Sequence, residues 1–369
     1  MTGLGTEIGI ARPREGRTLL QSADEILSDE PPIGAEPRHD LVCVDVATMR
    51  GLEIGALAAP RVTKDQGRIY YVDHAATEVL RKKYENDPDM KSRLGEIVEV
   101  DYVVGESQGI YQAVAHDAPF DYVVASHVIE HIPDPVSWLA NVATTLRTGG
   151  ILSLVVPDKR YCFDINRRTT DISELVDAHL RRLRRPSVKQ IYDFISKEIS
   201  GKVDTAAVWA GTADYGDVVR SDVEDADVAA LNLCREVEGS DEYVDVHCSV
   251  FTPDSFLELY ERLARLGLVE FEIAYFAPTE VNTLEFYVSL RRMEPSLDRK
   301  SMIERQLASI SRAQQSAKAD PARPDPSIQT QITMGITPTE YKLIATKRRI
   351  LGHLGEATRR LRERSWFAG

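Results

Sequence analysis

The sequence predicts an α/β protein: a doubly wound seven-stranded sheet, mostly parallel with one antiparallel strand, plus a helical insertion and a helical C-terminal tail. Two observations carry this reading. Short apolar runs recur at residues 51–54, 68–72, 97–103, 120–125 and 151–156, separated by helical or loop segments, which is the rhythm of βαβ units with both sheet faces covered. Two later runs, 269–275 and 286–290, are joined only by the turn region 278–283. That connection is too short for a crossover helix, so the two runs pair antiparallel.

Taken in order, residues 1–44 form a loosely ordered N-terminal arm. Pro31, Pro32 and Pro37 interrupt any regular element there, and one short helix is expected at 23–27. Residues 45–293 hold the α/β domain. Asp134-Pro135 is a helix cap followed by proline at the first helical position. Trp138, Leu139, Val142 and Leu146 then share a face, and Gly149-Gly150 is expected to end the helix. Thr252-Pro253 repeats the device, with Phe256, Leu257, Tyr260 and Leu263 inward and Gly267 as the stop. Between 164 and 250 the alternation stops. Helical stretches at 172–184 and 187–199, an acidic run at 222–227 and a helix through Cys234 make an insertion expected to cap the substrate pocket. Residues 294–369 read as a linker around 321–327 and a helix over 339–364, basic in balance.

Composition narrows the function. A formal net charge of -13 weighs against nucleic-acid binding, which needs Lys and Arg on phosphates. Cys43, Cys162, Cys234 and Cys248 include no C-x-x-C pair, so reduced and mostly buried thiols are expected, not a zinc or disulfide framework. No apolar run approaches the ~20 residues of a membrane span. A cytoplasmic protein acting on a small or neutral substrate is the resulting expectation.

Two acids mark the ligand-facing edge of the sheet. Glu53 ends the first strand and Asp73 the second, with Gly55 between them where the backbone must turn. In an open parallel sheet ligands bind at the carboxyl ends of the strands, where strand order reverses. An acid ending the second strand can accept two hydrogen bonds from a ribose diol.

Together with the segments 120–134 (Phe-Asp-Tyr-Val-Val-Ala-Ser-His-Val-Ile-Glu-His-Ile-Pro-Asp) and 146–157 (Leu-Arg-Thr-Gly-Gly-Ile-Leu-Ser-Leu-Val-Val-Pro), the runs Leu52-Glu-Ile-Gly55 and Val72-Asp73 resemble the class I S-adenosylmethionine-dependent methyltransferases. More narrowly, 157–164 and 245–253 resemble a bacterial subfamily associated with glycan assembly. The resemblance covers residues 45–292. It implies S-adenosyl-L-methionine as cofactor, with Glu53, Gly55 and Ala56 near its methionine part. Asp73, with His74 beside it, would hold the ribose, and Asp101 the adenine amine. Ser126 and His127 would lie where the fourth strand opens above it. The family's first loop usually has several glycines, whereas Ala56, Leu57, Ala58 and Ala59 follow Gly55 here.

Methyl transfer to an alcohol needs a base for the hydroxyl proton, and a neutral histidine suits that task. His247 is the first candidate, with Asp245 as its orienting partner, and His127 is the second. Arg160 and Tyr161, just past the fifth strand, could bind an acceptor. The pattern His127-x-x-Glu130-His131 has two readings. At helical spacing its histidines could share a ligand, and two His and a Glu suit Zn²⁺ or Fe²⁺. Alternatively it only caps the loop near the cofactor, and no metal is assigned. The expected function is O-methylation of a small molecule or glycan. The alternative is a degenerate fold acting as a non-catalytic module, with a partner protein or a second copy bound through the C-terminal helix. A dinucleotide enzyme is a third option, opposed by the absent G-x-G-x-x-G.

Overall fold

The computed structural model describes residues 38–319, apart from 89, 106–107, 199–202, 213–225 and 241–242. The arm up to residue 37 with its helix at 23–27, most of the acidic run at 222–227, the linker at 321–327 and the helix at 339–364 lie outside the described residues.

The seven strands are β1 (Arg50–Ile54), β2 (Arg68–Asp73), β3 (Tyr102–Val103), β4 (Phe120–Ser126), β5 (Leu146–Pro157), β6 (Phe271–Ala277) and β7 (Glu285–Arg292), in the order β3-β2-β1-β4-β5-β7-β6. β7 runs antiparallel to both β5 and β6, and the remaining pairs are parallel. Strand order reverses between β1 and β4, so their carboxyl ends frame the crevice. The described helices are α1 (Thr77–Lys83), α2 (Ile110–Val114), α3 (Pro135–Thr145), α4 (Ile172–Arg181), α5 (Val188–Ile195), α6 (Thr205–Ala210), α7 (Ala226–Val237), α8 (Pro253–Leu266) and α9 (Arg299–Ala319).

The main core lies on one face of the sheet. Leu152, Leu154, Phe286 and Val288 are fully buried against Leu139 and Val142 of α3, Phe256 and Leu263 of α8, and Ile310 and Ala313 of α9. On the other face Tyr71, Tyr122, Val124 and Ile151 are covered by Leu41, Val44 and Val46. Packing therefore extends past both expected domain edges, to residue 41 at one end and through α9 at the other. Gly51 in β1 is required by close approach: a Cβ there would fall 2.1 Å from Tyr122 Cζ.

Side chains of α9 finish the outer strand. Gln306 Nε2 donates to the carbonyls of Val269 and Phe271 at 2.8 and 3.0 Å, and the Ile273 amide donates to Ser309 Oγ at 3.0 Å.

The caps behave as their residues dictate. Asp134 accepts from Ser137 N at 3.0 Å with Pro135 at the first helical position, and Thr252 with Ser255 closes a capping box on α8, which Gly267 ends at φ +73°. Two expectations need correction. Helix α3 stops at Thr145, because Leu146 already pairs with Phe120, and Gly149-Gly150 lie inside β5 beside a register shift opposite Phe120 and Tyr122. The apolar run 97–103 supplies only two paired residues, so Asp101 precedes β3 and does not end it. The connection from β1 to β2 is a series of turns with no helix.

Candidate active site

The first half of the site is built where β1 and β2 end. Gly55 turns at φ +68°, donates its amide to Val72 O at 3.0 Å, and would bring an added Cβ only against Val128 Cγ2 at 3.4 Å. Glycine there keeps the backbone approachable. Leu57 also adopts the left-handed region, at φ +44°. The loop is held from beneath by Glu53, 1% exposed, whose two oxygens accept from the Arg61 and Val62 amides at 2.7 and 3.2 Å. Burial pushes the Glu53 carboxyl up to about 7, against those amide bonds and the Arg61 charge. Its contact is thus with the loop backbone, and Ala56 is buried under the same turn.

Asp73 ends β2 with its carboxylate nearly buried. Oδ1 accepts from the His74 amide at 2.7 Å and lies 2.6 Å from His74 Nδ1, while Oδ2 has no hydrogen-bond partner among the described residues. An open acceptor at this strand end fits a ribose diol. Asp101 does not meet its expectation. Level with Tyr71, it turns back onto β2, accepting from Tyr71 N and Lys64 Nζ, each at 2.8 Å. The acid that follows β3 in the chain is Glu106, which lies outside the described residues.

The second half forms past β4. After Ser126 the chain turns sharply at His127, φ +54°, whose amide donates to Val155 O at 3.0 Å. Only a single 3-10 turn follows, Ile129–His131, so helical spacing does not apply and the two histidines reach different partners. His127 Nε2 pairs with Glu285 Oε2 at 2.7 Å, and His131 Nδ1 with Asp245 Oδ1 at 2.9 Å. Between them Glu130 is fully buried, and neither of its carboxylate oxygens has a hydrogen-bond partner. His127 Nδ1 stands 3.6 Å from it.

The Glu130 carbonyl accepts from the Cys248 and Ser249 amides at 2.6 and 3.0 Å, which lays residues 245–249 alongside. His247 then meets His131 edge-on, with ring centroids 4.6 Å apart. Here the expected pairing is corrected: Asp245 backs His131, and the carboxylate on His247 Nδ1 is Asp164 Oδ2, at 2.5 Å. Asp164 comes from the loop after β5, far away in sequence, and is fixed by Arg167 Nη1 at 2.7 Å. Arg167, itself buried, also donates to His247 O and to Asp193, each at 2.9 Å.

Burial pulls the pKa values of His127 and His131 down. For His127 the bond to Glu285 and the Glu130 charge outweigh it; for His131 the bond to Asp245 and the Glu130 charge do, so both stand above the ordinary histidine value. Burial raises Asp164 but His247 and Arg167 overcome it, leaving the carboxyl below its usual range.

Arg160 and Tyr161 are engaged elsewhere. Arg160 forks onto buried Asp158, with Nη2 at 2.6 Å, and Thr279 Oγ1 donates to the same carboxylate at 2.7 Å. Tyr161 is 2% exposed and stacked on Trp209 of α6 at 4.1 Å between centroids. Cys162, Cys234 and Cys248 are free and buried, and no helix among the described residues is long and apolar enough to cross a membrane.

Comparison with known proteins fits this geometry. Residues 38–195 match a family model described as a methyltransferase domain. No curated protein matches the chain. Among solved structures, a SAM-dependent methyltransferase from Methanosarcina mazei is 18% identical, covers 68% of this chain and 94% of its own, and has a TM-score of 0.32. The CcbJ methyltransferase from Streptomyces caelestis is 16% identical, covering 38% of this chain and 62% of its own at a TM-score of 0.24. The CurJ carbon methyltransferase is 13% identical, with a TM-score of 0.29; the match spans 68% of this chain but only half of that one. Likenesses this distant carry no argument about this chain. Over residues 38–195 the chain is similar to a methyltransferase domain, and S-adenosyl-L-methionine is the cofactor that this similarity implies.

Proposed function

We propose that this protein methylates a hydroxyl oxygen of a small molecule or glycan. The observation behind this reading is the pairing of His127 with Glu285 at the carboxyl end of β4, beside the crevice where strand order reverses. Asp73 would hold the ribose through Oδ2, with the Gly55 turn leaving room for the rest of the cofactor. When bound, S-adenosyl-L-methionine supplies a sulfonium methyl group already activated for displacement by an oxygen.

The chain's own task is to place the acceptor and take its proton. His247 is walled in by Phe163, Phe194 and His131, and its side chain is 6% exposed. The His127 side chain is 39% exposed. With Nε2–H donated to Glu285, His127 Nδ1 carries the lone pair that receives the hydroxyl proton. Acceptor shape would be read by the insertion. Its helices α5 and α6 reach the site through Phe194, which packs on His247, and through Trp209, whose Nε1 donates to Thr283 O at 2.9 Å.

The test is calorimetry with S-adenosylhomocysteine on the wild type and on Asp73→Ala. Binding to the wild type and a loss of at least tenfold in the variant supports the reading; equal affinity in both, or binding to neither, overturns it.

A further inference from the structure

We propose that Glu130, His131 and His247 bind one divalent transition-metal ion, and that this ion holds the acceptor oxygen beside His127. The binding site stands on its own observations; the role given to the ion rests on the methyl-transfer reading above.

The first observation is the unpartnered charge. Glu130 is fully buried, both its oxygens lack a hydrogen bond, and among the described residues no Lys or Arg pairs with it. A carboxylate taken out of water without a partner is costly by several kcal/mol, and a cation is what removes that cost. His127 Nδ1 at 3.6 Å is too distant for a hydrogen bond.

The second observation is the donor geometry. One nitrogen of each ring and one Glu130 oxygen lie within 4.8 Å of one another. Ligands about 2.1 Å from a tetrahedral ion stand roughly 3.4 Å apart, so side-chain adjustment of about an ångström closes the group. Both rings have a carboxylate behind them: Asp245 on His131 Nδ1 and Asp164 on His247 Nδ1. Donating Nδ1–H to a carboxylate leaves the lone pair on Nε2 and raises its basicity, the arrangement usual behind metal-bound imidazoles.

The third observation is rigidity. The turn bearing Glu130 and the segment bearing His247 are tied through two amide bonds to the Glu130 carbonyl, and Arg167 locks the His247 carbonyl to Asp164. The set therefore survives without its ion. Two imidazoles and one carboxylate suit Zn²⁺ or Fe²⁺ and leave coordination positions open, whereas Mg²⁺ prefers oxygen alone. An open position takes an acceptor hydroxyl, whose acidity rises on coordination. The acceptor class is thus an alcohol or phenol.

The test uses the full chain stripped by a chelator and titrated with Co²⁺ alone, followed by visible absorption. The expected result is one Co²⁺ per chain with ligand-field bands that bleach on adding Zn²⁺, and an affinity about 100-fold weaker in both Glu130→Gln and His131→Gln. A wild type that shows no stoichiometric Co²⁺ spectrum, or variants that bind as the wild type does, would overturn the site. S-adenosylhomocysteine binding by the same samples reports on the cofactor crevice alone, so failure of the metal site and failure of the methyl-transfer reading are distinguishable.

Discussion

His247 Nδ1 lies 2.5 Å from Asp164 Oδ2, across 83 residues of chain, and both are buried. The pair joins the two ends of the helical insertion at one point, with Arg167 bonded to both partners. Asp164→Asn keeps the shape but removes the charge, leaving Arg167 with Asp193 and a carbonyl. The expected loss is about 3 to 5 kcal/mol, the range for breaking a buried ion pair from one side. Urea unfolding measures it, and a loss under ~1 kcal/mol would mean that the pair is not a structural tie.

The base assignment makes a kinetic prediction. His127→Gln should lower kcat by about 10² to 10⁴ while leaving S-adenosylhomocysteine affinity within about threefold. Glu285→Gln should lower kcat less, because it orients the ring and takes no proton. A His127 variant that turns over normally would return the task to solvent or to another group.

Glu53 gives a pH prediction with a definite sign. Its folded pKa, about 7, lies above the ordinary carboxyl value of 4.5. The fold thus favours the protonated form: stability is greatest below pH 4.5, falls as pH rises to about 7, and is level beyond. A shift of this size corresponds to about 3 kcal/mol. The charged groups around it are Arg61 and Asp40. Glu53→Gln has no such titration, so the stability difference between the two proteins should change with pH across that window. A pH-independent difference would be the contrary result.

The β1–β4 contact gives a packing prediction. Gly51→Ala drives a methyl into the Tyr122 ring and should cost about 2 kcal/mol or more. The Tyr122 hydroxyl is buried with no partner, so Tyr122→Phe alone should be neutral or stabilising by about 1 kcal/mol. In the double variant Gly51→Ala/Tyr122→Leu, part of the Gly51→Ala loss should return. Strict additivity in thermal melts would show that the two residues are not coupled.

What the sequence made legible follows from the range of each interaction. Strand β4 and the starts of the helices behind Asp134-Pro135 and Thr252-Pro253 are local patterns, and they formed where the patterns lie. Asp101 was misplaced because seven apolar-rich residues look like a strand, whereas pairing with β2 captures only Tyr102 and Val103. The partners of His127, His131 and His247 were not legible. Glu285, Asp245 and Asp164 lie 158, 114 and 83 residues away, and no periodicity encodes contacts at such separations. Arg160 failed as a free ligand for a local reason: Asp158, two residues earlier, is buried and takes the fork first.

The closure of β6 by Gln306 and Ser309 bears on how the C-terminal region can be studied. An outer strand with bare amides and carbonyls is a template for another chain. In this protein α9 occupies two of those backbone groups, together with the Val269 carbonyl just before the strand, and buries Ile310 and Ala313 in the core. A truncation at residue 295 would remove that cover and leave a self-associating edge, so its aggregation would say nothing about a lost binding partner. A cut placed after α9, near residue 320, keeps that cover and isolates whatever the last fifty residues do.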